Sequence, residues 1–399
     1  MSRWTAQGIA VAVGLAVLWV FGGVGVYLAL GAHRSGVAQK AARPGQAGAA
    51  VNPALARLPG TLYLVQDGAV YSLQRGRFGT VLGAAGWSQP AALGGGQGLV
   101  LVKRDQAGFS DLYRADGGGR VQQLTHDQGR GAVPGPDPGV QLVTQYWAMY
   151  PRVSADRTQV YFTTDRYKHL RCCPFDVTMR VAQMPVAGGT PKFWTVDAVT
   201  PAETRTDDGD YAGGDAEPLP LASGAVLFVR YAYVGDTIGS QLMLVRLPRA
   251  APLPLTAPED HCSEPALSPD EKKLAMICSY GGQKTSLEVA AFDGSSLGPR
   301  QVVVAGVPAA QPAWSPDGTR LVYLAPVGIT GHFQLFAAVP PAALPTPVPT
   351  RSPTGRGRTP TPSPPAAVAA PPPPAAGPAP VQLTSNLDFD ATSPIAWTS

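Results

Sequence analysis

At 399 residues the chain is long enough to bury a large core, and its hydrophobic content of 45% is typical of a folded protein. The formal net charge of +4 is small for this length and no basic stripe is visible, which disfavours nucleic-acid binding. Gly (46 residues) and Pro (42 residues) are abundant, as an all-β chain with many tight turns requires.

The first predicted element is an uncharged segment from Gly8 to Leu30. A helix rises about 1.5 Å per residue, so a run of this length crosses a hydrocarbon core of roughly 30 Å. We therefore predict one N-terminal transmembrane helix, with residues 1–31 as an uncleaved signal anchor. The alternative is a cleaved signal peptide, for which Ala29-Leu30-Gly31 is an acceptable site.

The charges around this segment leave its orientation open. One basic residue precedes it and three follow: Arg3, and then Arg34, Lys40 and Arg43. The positive-inside rule applied to these residues favours a cytoplasmic domain, whereas the short N-terminal flank favours export. We expect a single-pass protein of the cell membrane whose folded domain is extracytoplasmic.

Residues 32–59 are rich in Ala and Gly and show little periodicity, so we predict a flexible linker there. From Gly60 onward, short runs rich in Val, Leu, Tyr and Phe are bounded by Gly, Asp or Pro, which predicts β-strands. The clearest runs are Thr61 to Val65, Ala69 to Leu73, Gly98 to Lys103, Asp111 to Arg114, Gln159 to Thr163, Met179 to Pro185, Ala225 to Arg230 and Gln241 to Leu247.

One phrase recurs along the chain without a gap, beginning at Pro151, Pro265 and Pro312. Each copy predicts a strand, a tight Ser-x-Asp turn and a second strand, and weaker copies begin at Pro90 and Pro218. The five prolines are spaced close to or somewhat above the roughly 40 to 50 residues of one four-stranded propeller blade. Blades also end alike, with Leu-Thr at 124–125, 255–256 and 383–384.

The two ends of the domain complete one blade. The chain stops at Ser393 to Ser399, which is the first strand of a repeat, and the domain begins at Gly60 to Leu64, which is a second strand. Pairing them removes open sheet edges. The fold class is therefore an all-β, six-bladed β-propeller over residues 60–399, closed by its C-terminal strand.

The run Pro-x-Trp-Ser-Pro-Asp-Gly-x-x-Leu-x-Tyr, followed later by Leu-Thr, resembles the WD40-like repeat of the TolB-type six-bladed β-propellers. The resemblance is strongest in the blades that begin at Pro151, Pro265 and Pro312. It implies an exported, membrane-associated location and a role in protein interaction.

The four cysteines are Cys172, Cys173, Cys262 and Cys278, and their spacing does not predict a zinc site. Cys262 precedes the first strand of one repeat and Cys278 ends its second, so an oxidising compartment would allow a disulfide between them. Four free thiols are the alternative, and adjacent Cys172 and Cys173 are candidates for a vicinal bridge.

No catalytic motif is visible: Gly-x-Ser-x-Gly and His-Glu-x-x-His are absent, and the histidines are scattered. We therefore predict no enzyme, no cofactor and no metal site, with the repeat aspartates serving their own turns. Function is expected in long loops at 129–147, 165–177 and 197–217. The candidate interaction residues are Arg166, Tyr167, Lys168, His169, Arg171, Asp207, Asp208 and Asp210; the acidic ones are either a calcium site or a solvated loop.

A low-complexity proline-rich tract, 340–380, is predicted to loop out of blade six between its third and fourth strands. One interpretation is an arm that contacts either the cell envelope or a protein that binds proline-rich segments. The alternative is a tolerated surface insertion without a function of its own. The expected function is a monomeric, membrane-tethered scaffold that binds a protein or an envelope polymer. The alternative is an enzyme or sensor acting on a carbohydrate or peptide in the central funnel, which converging histidines or paired carboxylates would favour.

Overall fold

The computed structural model describes residues 41–105, 109–126, 146–166, 179–196, 214–234, 237–280, 284–327, 331–347 and 378–399. Strands β1–β26 are numbered in chain order. Apart from a small sheet of β1 and β25, they form six four-stranded antiparallel sheets, which are the predicted six blades. The apolar segment 8–30 lies outside the described residues. Among those from Ala41 onward, no helix is long and apolar enough to cross a bilayer.

Each blade consists of four strands, which run in order from the inner to the outer edge of its sheet. Blade 1 is β26 (Ala396–Thr398), β2 (Thr61–Gln66), β3 (Ala69–Gln74) and β4 (Arg77–Leu82); blade 2 is β5 (Trp87–Ala92), β6 (Leu99–Arg104), β7 (Ser110–Ala115) and β8 (Val121–Gln123); blade 3 is β9 (Ala148–Val153), β10 (Gln159–Thr164), β11 (Arg180–Pro185) and β12 (Lys192–Phe193). Blade 4 is β13 (Gly214–Pro220), β14 (Val226–Val234), β15 (Thr237–Val245) and β16 (Leu253–Pro254); blade 5 is β17 (Ser263–Leu267), β18 (Lys273–Tyr280), β19 (Lys284–Ala291) and β20 (Gln301–Ala305); blade 6 is β21 (Ala310–Trp314), β22 (Leu321–Pro326), β23 (Phe333–Ala338) and β24 (Val381–Gln382).

Ring closure follows the prediction. The last strand, β26, pairs with β2, and Thr61 lies opposite Thr398. Blade 1 is thus built from both ends of the domain, and this pairing leaves no open edge between the first and last blades.

The core is divided among the gaps between blades. The described residues form six hydrophobic clusters, and each packs the face of one blade against its neighbour around the ring. Strand β6 shows why: Val100 and Val102 face blade 3, whereas Leu99 and Leu101 face blade 1. A strand buried on both faces has no polar alternation, which explains the continuous apolar runs.

The recurring Ser-x-Asp phrase forms the turn from first to second strand. In blade 6, Ser315 donates a hydrogen bond from its hydroxyl to Asp317, while Asp317 Oδ1 accepts one from Thr319 N at 3.0 Å. Blades 3 and 5 repeat these contacts. The hydrogen bond from the Ser315 hydroxyl is the main reason why the pKa of Asp317 lies below its usual value. These aspartates therefore serve their own turns, as predicted.

The predicted linker is ordered from Ala41 onward, which corrects the sequence-based expectation for 32–59. Strand β1 (Ala50–Val51) pairs with β25 (Thr384–Ser385), and a 3-10 helix follows at Pro53–Arg57. Leu55 of this helix is 1% exposed in the cluster between blades 6 and 1. The composition of the segment did not predict this order, because the segment is held by backbone pairing to a distant strand and has no periodic apolar face of its own.

Two rims of the ring result from the antiparallel meander. The insertion rim carries the connections from second to third strand and from each fourth strand to the next blade. The turn rim carries the Ser-x-Asp turns and the connections from third to fourth strand. The segments 127–145, 167–178 and 197–213 join strand ends on the insertion rim, whereas the proline-rich tract leaves β23 and re-enters β24 on the turn rim, in its predicted place.

Part of the tract lies against the ring. Leu344 packs onto the cluster between blades 5 and 6, and the carbonyl oxygen of Pro345 lies beside Gly298, where a Cβ would approach it within 2.2 Å. Residues 348–377 lie outside the described residues. The described residues of the predicted insertion 340–380 are therefore 340–347 and 378–380, between β23 and β24.

Candidate functional site

The six first strands surround the axis of the ring, and an Xaa-Pro step lies in or just before each of them. The residues before these prolines, which we call the axial ring, are Gln89, Tyr150, Glu217, Glu264, Gln311 and Ser393. All but Ser393 have a left-handed backbone, with φ between 51° and 53°. Residues other than glycine rarely adopt this backbone conformation, so its recurrence in five blades indicates that the fold requires it at this position.

A β-bulge accounts for this backbone. The register between first and second strands shifts at the Xaa-Pro step, for example between Ser88 and Ala91 and between Ser263 and Ala266. Proline has no N–H to offer a ladder, so it tolerates the interruption. The bulge leaves the N–H of the axial residue for a partner in the neighbouring blade.

The axial side chains accept these N–H groups from blade to blade. Gln89 N donates to Ser393 Oγ at 2.7 Å, and Tyr150 N donates to Gln89 Oε1 at 2.6 Å. On the other side of the ring, Glu264 N donates to Glu217 Oε2 at 2.6 Å and Gln311 N to Glu264 Oε2. We call each of these hydrogen bonds, from the backbone N–H of one axial residue to the axial side chain of a neighbouring blade, a clasp. The axial ring thus links neighbouring blades through a series of clasps.

Two of the clasps bring carboxylates together. Glu217, 7% exposed, also accepts a hydrogen bond from the Tyr231 hydroxyl at 2.7 Å on Oε1. Burial raises the pKa of Glu217, and burial together with the nearby Glu217 charge raises the pKa of Glu264 to about 8. Arg152 counters the Glu217 charge, although burial lowers the pKa of its guanidinium.

This convergence is the feature expected of the enzyme alternative. Its chemistry is limited by the clasps, since both oxygens of Glu217 and one oxygen of Glu264 already accept hydrogen bonds. A catalytic role for the pair would require these contacts to break. In the part of the chain that the structure describes, no group of three His, Cys, Asp or Glu side chains is placed to hold a metal ion.

The sequence-based interaction residues fall almost entirely outside the described residues. Tyr167, Lys168, His169, Arg171, Asp207, Asp208 and Asp210 all lie there. Arg166 is described at the insertion rim, where its N–H donates to Thr164 Oγ1 and its carbonyl accepts from Arg180. The interaction site therefore stays a prediction.

The loop boundaries do change, because some assigned residues belong to the sheets. Asp165 is fully buried and accepts a hydrogen bond from Trp147 N at 2.7 Å. Asp215 is paired with Arg230 at 2.7 Å inside blade 4, and Glu217 is an axial clasp. Neither acid is free for a calcium site in the 197–217 loop.

Cys262 and Cys278 are joined in the structure, with their sulfur atoms 2.09 Å apart. Both are fully buried between blades 4 and 5. Arg300 lies beside them, with Nη1 3.2 Å from Cys262 Sγ and 2.9 Å from Asp260 Oδ2. The pair cross-links the first strand region of blade 5 to its second strand.

The axial ring is what sequence reasoning missed. Its signal lies one position before each repeat's proline, where the chain has Gln, Tyr, Glu, Glu, Gln and Ser. A polar residue at the inner end of an otherwise apolar strand indicates a partner in the next blade. The pattern is hard to see because the side chains differ chemically and share only their position.

No family model and no curated protein matches the chain. Among solved structures it is similar to TolB from Acinetobacter baumannii, at 16% identity and a TM-score of 0.50 over 70% of this chain and 62% of that one. A putative TolB from Agrobacterium tumefaciens aligns at 14% identity and a TM-score of 0.45, over 70% of this chain and 84% of that chain.

A puromycin-hydrolyzing peptidase from Mycobacterium tuberculosis aligns at 14% identity and a TM-score of 0.40, over 75% of this chain and 41% of that chain. The chain thus spans less than two thirds of the Acinetobacter TolB. At these identities the similarity concerns architecture alone. What the chain shares with the Acinetobacter TolB structure is the β-propeller fold, built in this chain from six blades.

Proposed function

We propose that the chain is a membrane-tethered, extracytoplasmic propeller that binds a protein partner through the insertions around blade 3. The observation that carries this proposal is their placement. Segments 127–145, 167–178 and 197–213 precede, interrupt and follow blade 3, and all three leave described strands on the insertion rim. Insertions gathered on one rim of a rigid ring are a common way to build a binding surface.

The chemistry of two insertions fits a protein surface. Arg166, Lys168 and Arg171 provide positive charge around Tyr167, and residues 207–210 provide negative charge. Tyr and Arg are the residue types that most often dominate protein interfaces. The tether is the uncharged segment 8–30, and the similarity to TolB structures agrees with a scaffold built on this fold.

The test uses the full chain, tagged and photo-crosslinked in its native membrane, with the captured protein quantified by mass spectrometry. Tyr167→Ala with Arg171→Ala, or Asp207→Asn with Asp208→Asn and Asp210→Asn, should lower capture about tenfold by removing interface anchors. The matched control removes charge from the proline-rich tract, with Arg351→Gln, Arg356→Gln and Arg358→Gln; the strands that flank this tract, β23 and β24, end on the turn rim.

Unchanged capture by both insertion variants would refute the proposal, as would a loss confined to the control. Captured material that resists protease would instead identify an envelope polymer as the ligand.

A second candidate function rests on the convergence of Glu217 and Glu264 at the axis. Paired carboxylates are the groups that hydrolyse glycosidic bonds, and burial raises the pKa of both Glu217 and Glu264. Under this candidate the intact chain hydrolyses a glycoside or peptide, and Glu264→Gln abolishes the activity while the ring stays folded. No turnover of a broad glycoside and peptide panel would exclude it.

A further inference from the structure

The described chain begins on the insertion rim. Ala42 N donates a hydrogen bond to the Asn386 carbonyl at 2.9 Å, and the Ala42 carbonyl accepts one from Gln66 Nε2 at 2.9 Å. Gln66 ends β2, the second strand of blade 1, and Asn386 follows the last strand of blade 6. Both partners therefore fix residues 41–42 at this rim.

The spacer between the apolar segment and this point is short. It comprises residues 31–40. A flexible chain of this length has a typical end-to-end distance of about 16–19 Å, and full extension gives about 33–36 Å.

The ring is as tall as its second and third strands are long. These strands contain between 6 residues, as in β2, and 9 residues, as in β14. At about 3.3 Å per residue this corresponds to roughly 20–30 Å from rim to rim. A spacer of typical length cannot reach past the turn rim, whereas it reaches the insertion rim without being stretched.

The described part of the insertion rim also exposes apolar side chains. Val196, Val307 and Val327 are 44%, 37% and 52% exposed, and each follows the end of a strand at this rim. They come from blades 3, 5 and 6, so they are spread around the ring. The turn rim exposes apolar side chains too, among them Leu247 (67%), Val339 (46%) and Val381 (46%), so these residues do not distinguish the two rims.

We propose that the insertion rim faces the bilayer, because the described chain begins on this rim and the spacer before it is short. The inference rests on the proposed tether and goes beyond it, because tethering alone does not orient the ring. The turn rim, where strands β23 and β24 flank the proline-rich tract, then faces away from the membrane. A protein partner held by the insertions is accordingly one that lies close to the membrane.

The experiment compares two exposed aliphatic positions, Val327 on the insertion rim and Leu247 on the turn rim, which is 67% exposed. A fluorophore is attached to a non-natural azide residue at either position of the full chain. The protein is reconstituted in phosphatidylcholine vesicles with a minor fraction of phosphatidylglycerol, with and without headgroup-nitroxide lipid. We expect quenching at 327 and none at 247.

Flotation of the same vesicles separates the two proposals. A chain that floats but is quenched equally at both positions, or more at 247, overturns the orientation and leaves the tether intact. A chain that does not float with the vesicles overturns the tether and the orientation together.

Discussion

At the scale of single residues, the most informative position is the one before each repeat's proline. Gln89 and Gln311 occupy the same place as Glu217 and Glu264, and Gln89 accepts a backbone N–H from the next blade just as the two glutamates do. The chain thus contains both the amide and the carboxylate version of one clasp. The carboxylate adds a charge that the clasp does not need.

Replacing Glu264 by Gln should therefore stabilise the ring at alkaline pH. The amide oxygen retains the hydrogen bond from Gln311 N, as Gln89 does for Tyr150 N, and the half-buried charge disappears. With the pKa of Glu264 raised to about 8, the stabilisation has an upper limit of about 5 kcal/mol above that pH. Urea unfolding of both proteins at pH 9 measures it.

The pH dependence of the free energy of unfolding should show the direction of this effect. Glu264 binds its proton more tightly in the folded ring than in the unfolded chain, so its contribution to stability is largest below about pH 4.5. It is lost as the pH rises towards about 8. The free energy of unfolding should fall over this range in the native chain and fall less in Glu264→Gln. Parallel profiles would contradict the raised pKa of the half-buried Glu264.

A second residue-scale prediction concerns the Ser-x-Asp turns. Gly318 has φ 68°, where a Cβ is strained, and the equivalent Arg157 already accepts φ 63°. Gly318→Ala should lower the free energy of unfolding by about 1 kcal/mol, since left-handed backbone costs about 1–2 kcal/mol and the stiffer unfolded chain offsets part of it. Denaturant unfolding measures the change.

The matched control for this turn is Arg157→Gly. Relief of strain and the added freedom of the unfolded chain should nearly cancel, within about 0.5 kcal/mol. Equal losses in both variants would show that the turns are not held by backbone conformation.

At the scale of elements, the recurring Leu-Thr ends explain how such short outer strands are closed. In blade 4, Leu255 N donates to the Leu242 carbonyl, and the Thr256 hydroxyl accepts from Leu242 N at 3.0 Å. Blades 2 and 6 repeat the arrangement through Thr125 and Thr384. The hydroxyl thus replaces the backbone carbonyl that a longer fourth strand would have offered.

Thr256→Val keeps the shape of the side chain and removes this acceptor. Leu242 is fully buried, so its N–H would be left without a partner, at a cost of about 1–3 kcal/mol. Thermal unfolding measures the loss. Thr398→Val, at the partly exposed end of β26, is the control and should change stability by less than about 0.5 kcal/mol. Equal effects would contradict the closing role of the motif.

The elements also show what a sequence determines locally. The strand predicted at 159–163, which the structure extends to Thr164, and the Ser315–Asp317 turn were predictable because apolar runs and turn hydrogen bonds involve neighbouring residues. Segment 41–59 was assigned wrongly because its order comes from β25, more than three hundred residues away. The pairing of Glu217 with Glu264 N was missed for the same reason, as it exists only once two blades meet.

At the scale of the whole molecule, the number of blades was predictable and the surface chemistry was not. Repeat spacing and the incomplete repeats at both ends were sufficient for a ring of six, because closure is a counting argument. The axial carboxylates and the exposed valines depend on which side chains the ring turns inward or outward. The assignment of the insertion and turn rims, and so both proposals, follows from the order of strands around the closed ring.

Ring closure is therefore the claim to test most directly, by cross-linking β2 to β26. Thr61 and Thr398 lie opposite each other, and directly paired residues of antiparallel strands have Cα atoms about 4.5–5.5 Å apart, which suits a disulfide. Peptide mapping by mass spectrometry of oxidised Thr61→Cys/Thr398→Cys should recover the two cysteines in one linked peptide. Two free thiols at these positions in the folded protein would contradict the closed six-bladed ring.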